Sequence, residues 1–506
     1  MAARTGPSGL GGACNGTATN PVPEGRRKAT SSAAPLAGRF LTIICPEGII
    51  MKKLGVTRGA PQRSLISAAV LAGIAMAGFG TVAHAADDLS LTWNGITLYG
   101  TVDVGVAYQT HGAPLSQDFY PTLNYMIASQ SNKSITTVAS NGLSQSKIGV
   151  RGNEPLNDIF SFVFNLEMGF NPTSGKLADA PKSLINNNGK ALAVREVSGD
   201  GSRAGQFFNG TAYGGFGSKD WGTLTIGRQN ALFLDNIVKY DPMNASYAFS
   251  IIGYSGVAGG MGDTEDARLD DSVKYLFKYD VFHFGAMYQW GKTNTSPGES
   301  WSLDAGFDYA GFSVDAAWGE KKDAIAAATL SAAQVATPGV PFQSLAATIS
   351  DNEAWQIAAS WAGGPWKVSG GYEHIDYSNP SLPVAPGFAG LGGYWISFTN
   401  NAAFPHDKNL DITWIGVKYM FTPNFDVTGA WYGYSQNAYG AVHCSNATAG
   451  NCSGGEDVWS VRFDYRMTKR FDVYAGSSWS KVSDGLASGF LHTSTTTVMA
   501  GFRFNF

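Results

Sequence analysis

Few residues in this sequence sit at a spacing that could do covalent chemistry. Gly291-Lys292-Thr293 ends like a phosphate-binding loop, in which backbone amides and a lysine cradle an anion, but the first glycine of that loop falls on Ala286. Neither a G-x-S-x-G nucleophile elbow nor an H-E-x-x-H zinc signature occurs. Beyond residue 85 the six histidines are scattered. Cys444 and Cys452 have seven residues between them, in a Gly/Ser/Asn-rich stretch with His443 alongside. With no second His or Cys pair nearby, they read as a loop disulfide in an oxidising compartment rather than a metal site. No catalytic residue, metal site or cofactor is therefore expected.

The elements that position the remaining polar residues follow from composition. The 506-residue chain is 15% charged and 12% aromatic, with 63 Gly and 21 Pro. Soluble domains carry about 25% charge, and disorder requires few aromatics, so this balance excludes a disordered chain. A helical membrane bundle needs several apolar runs of about 20 residues. Only one short run is present, Leu65–Gly80, behind Lys52, Lys53, Arg58 and Arg63 and ahead of Ala83-His84-Ala85. That order of basic, apolar and small residues predicts a signal peptide over 51–85, cleaved between Ala85 and Ala86. Residues 1–50 show no periodicity and read as an extension upstream of a start at Met51. Residues 1–85 hold 9 of the 35 Lys+Arg and 2 of the 39 Asp+Glu, so the remainder has a net charge of −11. A polyanion is a poor partner for nucleic acid, and none is expected.

From Gly95 onward the dominant period is two. Phe160, Phe162, Phe164, Leu166, Met168 and Phe170 fall on one face, with Ser161, Asn165, Glu167 and Gly169 on the other. Successive side chains of a strand point to opposite faces, so this is a two-sided strand. The pattern recurs sixteen times between 96–110 and 495–506, including 206–216 and 353–361. Connections alternate between tight turns and loops mostly 20–40 residues long. A soluble β-sandwich alternates too, but the regular, charged polar face and the two classes of connection favour a membrane barrel. Such a barrel closes so that no backbone group meets lipid unpaired, with polar residues inside and aromatics at its rims. The expected fold is all-β, a 16-stranded antiparallel transmembrane barrel over 86–506, with Trp290, Trp318, Trp431 and Trp479 in the aromatic girdles.

Four motifs resemble the general porins of Gram-negative outer membranes, of the trimeric Burkholderia- and Neisseria-like kind. They are Leu98-Tyr-Gly-Thr-Val-Asp103, Ser146-Lys-Ile-Gly-Val-Arg-Gly-Asn-Glu154, Phe216 to Gln229 ending in Gly-Arg-Gln, and the terminal alternating segment closing on Phe506. The resemblance implies a passive, water-filled channel, a homotrimer, for small hydrophilic solutes and ions. It also implies contact with outer-membrane lipid and lipopolysaccharide, and no enzyme activity. The connection Gln229–Asp270 occupies the place of the loop that folds into the lumen. It carries Asp235, Asp241, Asp263, Glu265 and Asp266, and glycines suited to tight bends. Opposite it the family places basic residues, here matched by Lys147 and Arg228, with Arg151 on the face of Lys147 and Arg268 just before strand six. Acid facing base across a narrow gap tunes ion selectivity. Arg228 shares parity with lipid-facing Leu224 and Ile226, so a bend is required there. Phe506 resembles the terminal aromatic read by the barrel-assembly machinery. Rival readings are a substrate-specific channel on the same barrel, an outer-membrane hydrolase or adhesin, and a secreted soluble β-protein.

Overall fold

The computed structural model describes residues 91–111, 134–178, 207–252, 268–291, 298–327, 344–379, 388–391, 394–400, 408–440, 452–487 and 491–506. The alternating segments form sixteen long strands: β1 (Ile96–Gln109), β2 (Lys147–Pro155), β3 (Phe160–Gly169), β4 (Ala212–Ser218), β5 (Gly222–Asn230), β6 (Arg268–Tyr279), β7 (Phe282–Gln289) and β8 (Ser300–Tyr309). They continue with β9 (Phe312–Ala327), β10 (Ser344–Gly363), β11 (Trp366–Ser378), β12 (Lys408–Thr422), β13 (Phe425–Gln436), β14 (Gly454–Arg466), β15 (Phe471–Asp484) and β16 (Ser494–Asn505). Each pairs antiparallel with the next. β16 returns to β1, from Thr101 opposite Asn505 to Gln109 opposite Thr497, which closes the barrel. Shorter strands at Thr92–Trp93, Ile135–Ser140, Phe388–Leu391 and Tyr394–Asn400 attach to this sheet.

Tight turns follow every even-numbered strand from β2 to β14, and long connections follow the odd-numbered ones, so both ends of the barrel chain lie on the turn side. The turn between β8 and β9 uses Ala310 and Gly311, both at positive φ (51° and 84°), the two-residue geometry that matches the twist of antiparallel strands. Strand ends depart from the sequence expectation. β4 starts at Ala212 rather than 206, and β10 reaches back to Ser344 rather than 353. Ladder hydrogen bonds, which sequence periodicity does not report, decide those ends.

The outer face is apolar: Val106, Ile226, Ile415, Val417, Phe463 and Phe502 are all exposed. Aromatic side chains band it at both rims. Trp301 and Trp318 meet edge to face at 4.7 Å toward the loop end, and Trp366 lies 4.4 Å from Tyr419 at the turn end. Trp290, Trp318 and Trp479 are likewise exposed. The inner face is not uniformly polar. Ile375, Ile412, Trp414, Tyr432 and Tyr434 are buried there in one apolar cluster with Phe233, Ile237, Met243, Phe249 and Ile251 of the segment after β5. That segment occupies the lumen and covers them. Burying each large side chain stabilises it in place by about 1.5–3 kcal/mol.

Candidate functional site

The lumen segment begins with the helix α1 (Leu232–Tyr240). Leu232, Phe233, Asn236, Ile237 and Tyr240 recur at helical spacing and are buried, while Val238 points away. The helix stops at Asp241 because Pro242 follows it, and a residue before proline is driven out of the helical region; Asp241 has ψ 124°.

Polar anchors fasten the segment to the inner wall of β6, β8 and β9. Asn236 donates to Asp304 Oδ2 at 2.8 Å. Lys239 pairs with Asp315 at 2.6 Å, and the Tyr240 hydroxyl bonds Asp315 and, at 2.8 Å, Ser313. Asp235 accepts from Asn230 at 3.0 Å and pairs with Lys274. Farther along, the buried Asp241 accepts from the backbone N–H of Met243 (3.2 Å) and Ala245 (2.6 Å) and from the Tyr432 hydroxyl (2.6 Å). Arg462 Nη1 donates to the Met243 carbonyl at 2.9 Å. Ala248 N–H donates to the Gly142 carbonyl at 3.0 Å, Ser478 bonds the Ala248 carbonyl, and the Phe249 ring meets Tyr474 edge to face. The segment thus runs along one side of the wall to β15 and the first long connection.

Gly142 belongs to a second anchored turn. Asp103 is fully buried and accepts from the N–H groups of Gly142, Leu143 and Ser144 and from the Tyr474 hydroxyl at 2.6–3.1 Å. Sequence reasoning missed Asp103, Tyr432, Arg462 and Tyr474 as anchors. Alternation marks each as inward-facing, and Asp103 stands in the opening motif, but nothing local names its partners.

The inner wall is left partly uncovered on β2. Lys147 and Arg151 project there from β2. Lys147 pairs with Glu167 at 2.8 Å, yet its side chain stays 34% exposed. Arg151 is exposed, its guanidinium 5.3 Å from the centre of the Tyr99 ring, with the Lys147 ammonium at 5.8 Å. Tyr99 donates to Asn165 at 2.7 Å, which holds the ring beneath both cations.

Arg228 sits elsewhere. Gly227 has φ 132°, and the pairing of β5 with β6 slips between Gly227 and Gln229. This bulge turns Arg228 inward despite its parity. It is 9% exposed, pairs with Asp270 at 2.6 Å, and donates to the carbonyls of Gly210 (3.1 Å) and Asn209 (2.9 Å). Arg268 opens β6 rather than preceding it, lies across from Asn230, and is half-buried. Lys147 and Arg151 are therefore adjacent, Arg228 and Arg268 share the β5–β6 ladder, and Asp235 and Asp241 lie on the lumen segment. Asp263, Glu265 and Asp266 lie outside the described residues, as do Cys444, Ala85 and Ala86. Cys452 is disulfide-bonded and buried. Phe506 exchanges backbone hydrogen bonds with Gly100 at 2.9 and 3.0 Å, and its ring lies against Gly100, where any side chain would collide with it.

Burial raises the pKa of Asp241 above the ordinary carboxylate value, opposed by the Tyr432 and backbone hydrogen bonds. The folded protein therefore holds this proton more tightly than the unfolded chain. Asp241 contributes most below the unfolded pKa and progressively less as pH rises through the folded one. Thermal unfolding in detergent between about pH 4 and about pH 7 should show stability falling with pH more steeply in the wild type than in Asp241→Asn.

A closed antiparallel barrel with an apolar outer face, and a segment folded into a polar-lined lumen, defines an outer-membrane channel. The chain belongs to the Gram-negative porin family, which it matches over residues 67–387. It is 23% identical over 455 residues to an outer membrane porin protein of Bordetella pertussis, covering 83% of this chain and 94% of that one. Among solved structures it resembles the anion-selective porin from Comamonas acidovorans, with a TM-score of 0.55, 16% identity and coverage of 81% and 99% of the two chains. It also resembles a loop-deleted OmpT of Vibrio cholerae, with a TM-score of 0.51, 15% identity and coverage of 81% and 99%. The protein resides in the outer membrane and forms a channel for diffusion.

Proposed function

We propose that this channel passes small hydrophilic solutes and ions passively, without a catalytic step, and discriminates weakly in favour of anions. The observation that carries this reading is Arg151, which stays exposed over the Tyr99 ring, whereas the loop acid Asp241 is buried. Asp235 and Lys147 are each ion-paired, with Lys274 and Glu167, and each keeps partial exposure. Fixed charge on one wall of a wet constriction raises the local concentration of counter-ions. In this reading Arg228 and Arg268 set the shape and potential of the wall where the lumen segment departs. Asp263, Glu265 and Asp266 remain proposed members of the acidic side.

The test is the reversal potential of purified protein in a planar bilayer under a salt gradient. The wild type should reverse on the anion side. Lys147→Gln with Arg151→Gln should lower the anion-to-cation permeability ratio by about two-fold or more. An unchanged ratio in the double variant would remove these residues from the selectivity site.

The assembly we propose is a homotrimer, read as conductance steps in groups of three; the Vibrio cholerae OmpT is described in a trimer form. The outer aromatic bands would meet lipid and lipopolysaccharide. Phe506 is proposed as the terminal signal for the barrel-assembly machinery. Deleting it should lower outer-membrane insertion in cells several-fold while refolding into detergent proceeds. Equal loss in both settings would instead make Phe506 a packing residue on Gly100. A substrate-specific channel, the second reading, would bind one solute class saturably.

A further inference from the structure

We infer that the barrel wall behind α1 carries a site for a divalent transition-metal cation, formed by His283, Asp304 and Asp315. These residues lie on β7, β8 and β9. One ligand atom from each, the His283 ring nitrogen and a carboxylate oxygen of each Asp, falls within 4.8 Å of the other two. Ligand bonds of about 2.0–2.2 Å place neighbouring donors around one ion some 3–4 Å apart, so a small rotation of the partly exposed His283 ring suffices. One imidazole with two carboxylates suits first-row divalent ions better than magnesium or calcium, which prefer oxygen alone.

Three further observations point to a ligand rather than to an ordinary ion-pair cluster. First, both carboxylates are held from behind. Asn236 holds Asp304 Oδ2 at 2.8 Å. Lys239 (2.6 Å) and Tyr240 hold Asp315 Oδ2, which leaves Oδ1 toward His283 Nε2. On the other side of the ring, Asp308 Oδ2 lies 3.6 Å from His283 Nδ1, beyond a direct hydrogen bond. Donors behind each carboxylate are supports of the kind that metal-ligating side chains use. Second, Gly306 lies on β8 between Asp304 and Asp308, and a Cβ there would collide with both Asp315 Oδ1 and His283 Nε2. Those two atoms can occupy these positions because residue 306 is glycine. Third, the cluster opens onto a cavity of about 430 Å³, lined also by Asp235, Lys239 and Lys278, which gives a hydrated ion a route in and room for water ligands. The carboxylates of Asp304 and Asp315 repel each other at this distance, and a divalent cation relieves that repulsion. The inference does not depend on the direction of ion selectivity or on what the channel conducts.

The test is calorimetric titration of Zn²⁺ into tag-free, folded, chelator-treated protein in detergent, with folding checked by circular dichroism. The expected result is one Zn²⁺ per chain, weakened at least tenfold in His283→Gln and in Asp304→Asn. Gly306→Ala, which keeps every ligand residue but drives a Cβ against Asp315 Oδ1 and His283 Nε2, should weaken it comparably. Asp315 is left intact because it also anchors α1. If a variant does not fold, Cu²⁺ bound to the wild type serves as a second reading, since its electron paramagnetic resonance spectrum should show coupling to a single imidazole nitrogen. Absence of Zn²⁺ binding, binding unchanged in both His283→Gln and Gly306→Ala, or a Cu²⁺ spectrum without imidazole coupling would overturn the proposal.

Discussion

Asp241→Ala should free the lumen segment downstream of α1 and give a larger, noisier single-channel conductance. The carboxylate lies where the helix ends, and four donors converge on it: the backbone N–H groups of Met243 and Ala245 and the hydroxyls of Tyr432 and Ser250. Removing it leaves all four without that acceptor in a buried place. Each orphaned donor costs about 1–3 kcal/mol, against which the variant regains the desolvation of one carboxylate. The net expectation is a loss of about 2–4 kcal/mol. That loss is borne locally, because the barrel ladder does not run through residue 241. The aromatic and aliphatic contacts of Phe249 and Ile251 hold the far end of the segment, so it should fluctuate rather than leave the lumen. Asp241→Asn, whose amide oxygen can still accept, should fall between the two. A conductance trace of Asp241→Ala identical to that of the wild type would mean that the segment past α1 does not set the narrowest passage.

Gly227→Val should abolish productive assembly. At φ 132° a β-branched residue is strained, and its Cβ would run into the Ala212 carbonyl on the neighbouring strand. The strand escapes by becoming regular, which erases the bulge and returns Arg228 to the parity of Leu224 and Ile226. Two losses then add. A charged arginine on the lipid face costs about 2–4 kcal/mol at mid-membrane. Breaking the buried pair with Asp270 costs a further 3–5 kcal/mol or so. Together they are comparable with the whole stability of a typical domain, roughly 5–15 kcal/mol, so little folded protein should be recovered from outer membranes or from refolding. Adding Arg228→Leu to the same variant separates the causes. A partial return of folded barrel would show that the arginine's placement dominates, and no return would assign the failure to the bulge itself.

Much of the barrel was legible in the sequence because period two reports directly on the two faces of a strand. Phe160–Gly169 could be read at sight, and so could the need for a bend at Arg228, since parity and charge conflicted there. The bend proved to be one glycine at positive φ with a slipped ladder. Strand ends were less legible. β4 and β10 differ from their expected limits because inter-strand hydrogen bonds, not side-chain pattern, terminate them. The basic residues Lys147 and Arg151 were found by motif and parity, and the structure sets them beside each other over Tyr99. The roles of the acids were not readable. Asp235 and Asp241 are separated from their partners Lys274 and Tyr432 by tens to nearly two hundred residues, and no local signal distinguishes an anchor from a pore-lining charge.

The sequence by itself determined the fold class, the alternation of turns and loops, the export signal as an expectation, and which side chains face lipid. Each of these depends on a residue and its near neighbours, through steric alternation or the length of an apolar run. Only the tertiary structure decided that a folded-in segment covers the apolar side chains on the inner faces of β11, β12 and β13. It alone brought Asp103 under the turn at Gly142, and His283, Asp304 and Asp315 around one point. Those arrangements arise when the sheet closes, because closure sets side chains from distant strands at fixed separations that chain distance does not encode.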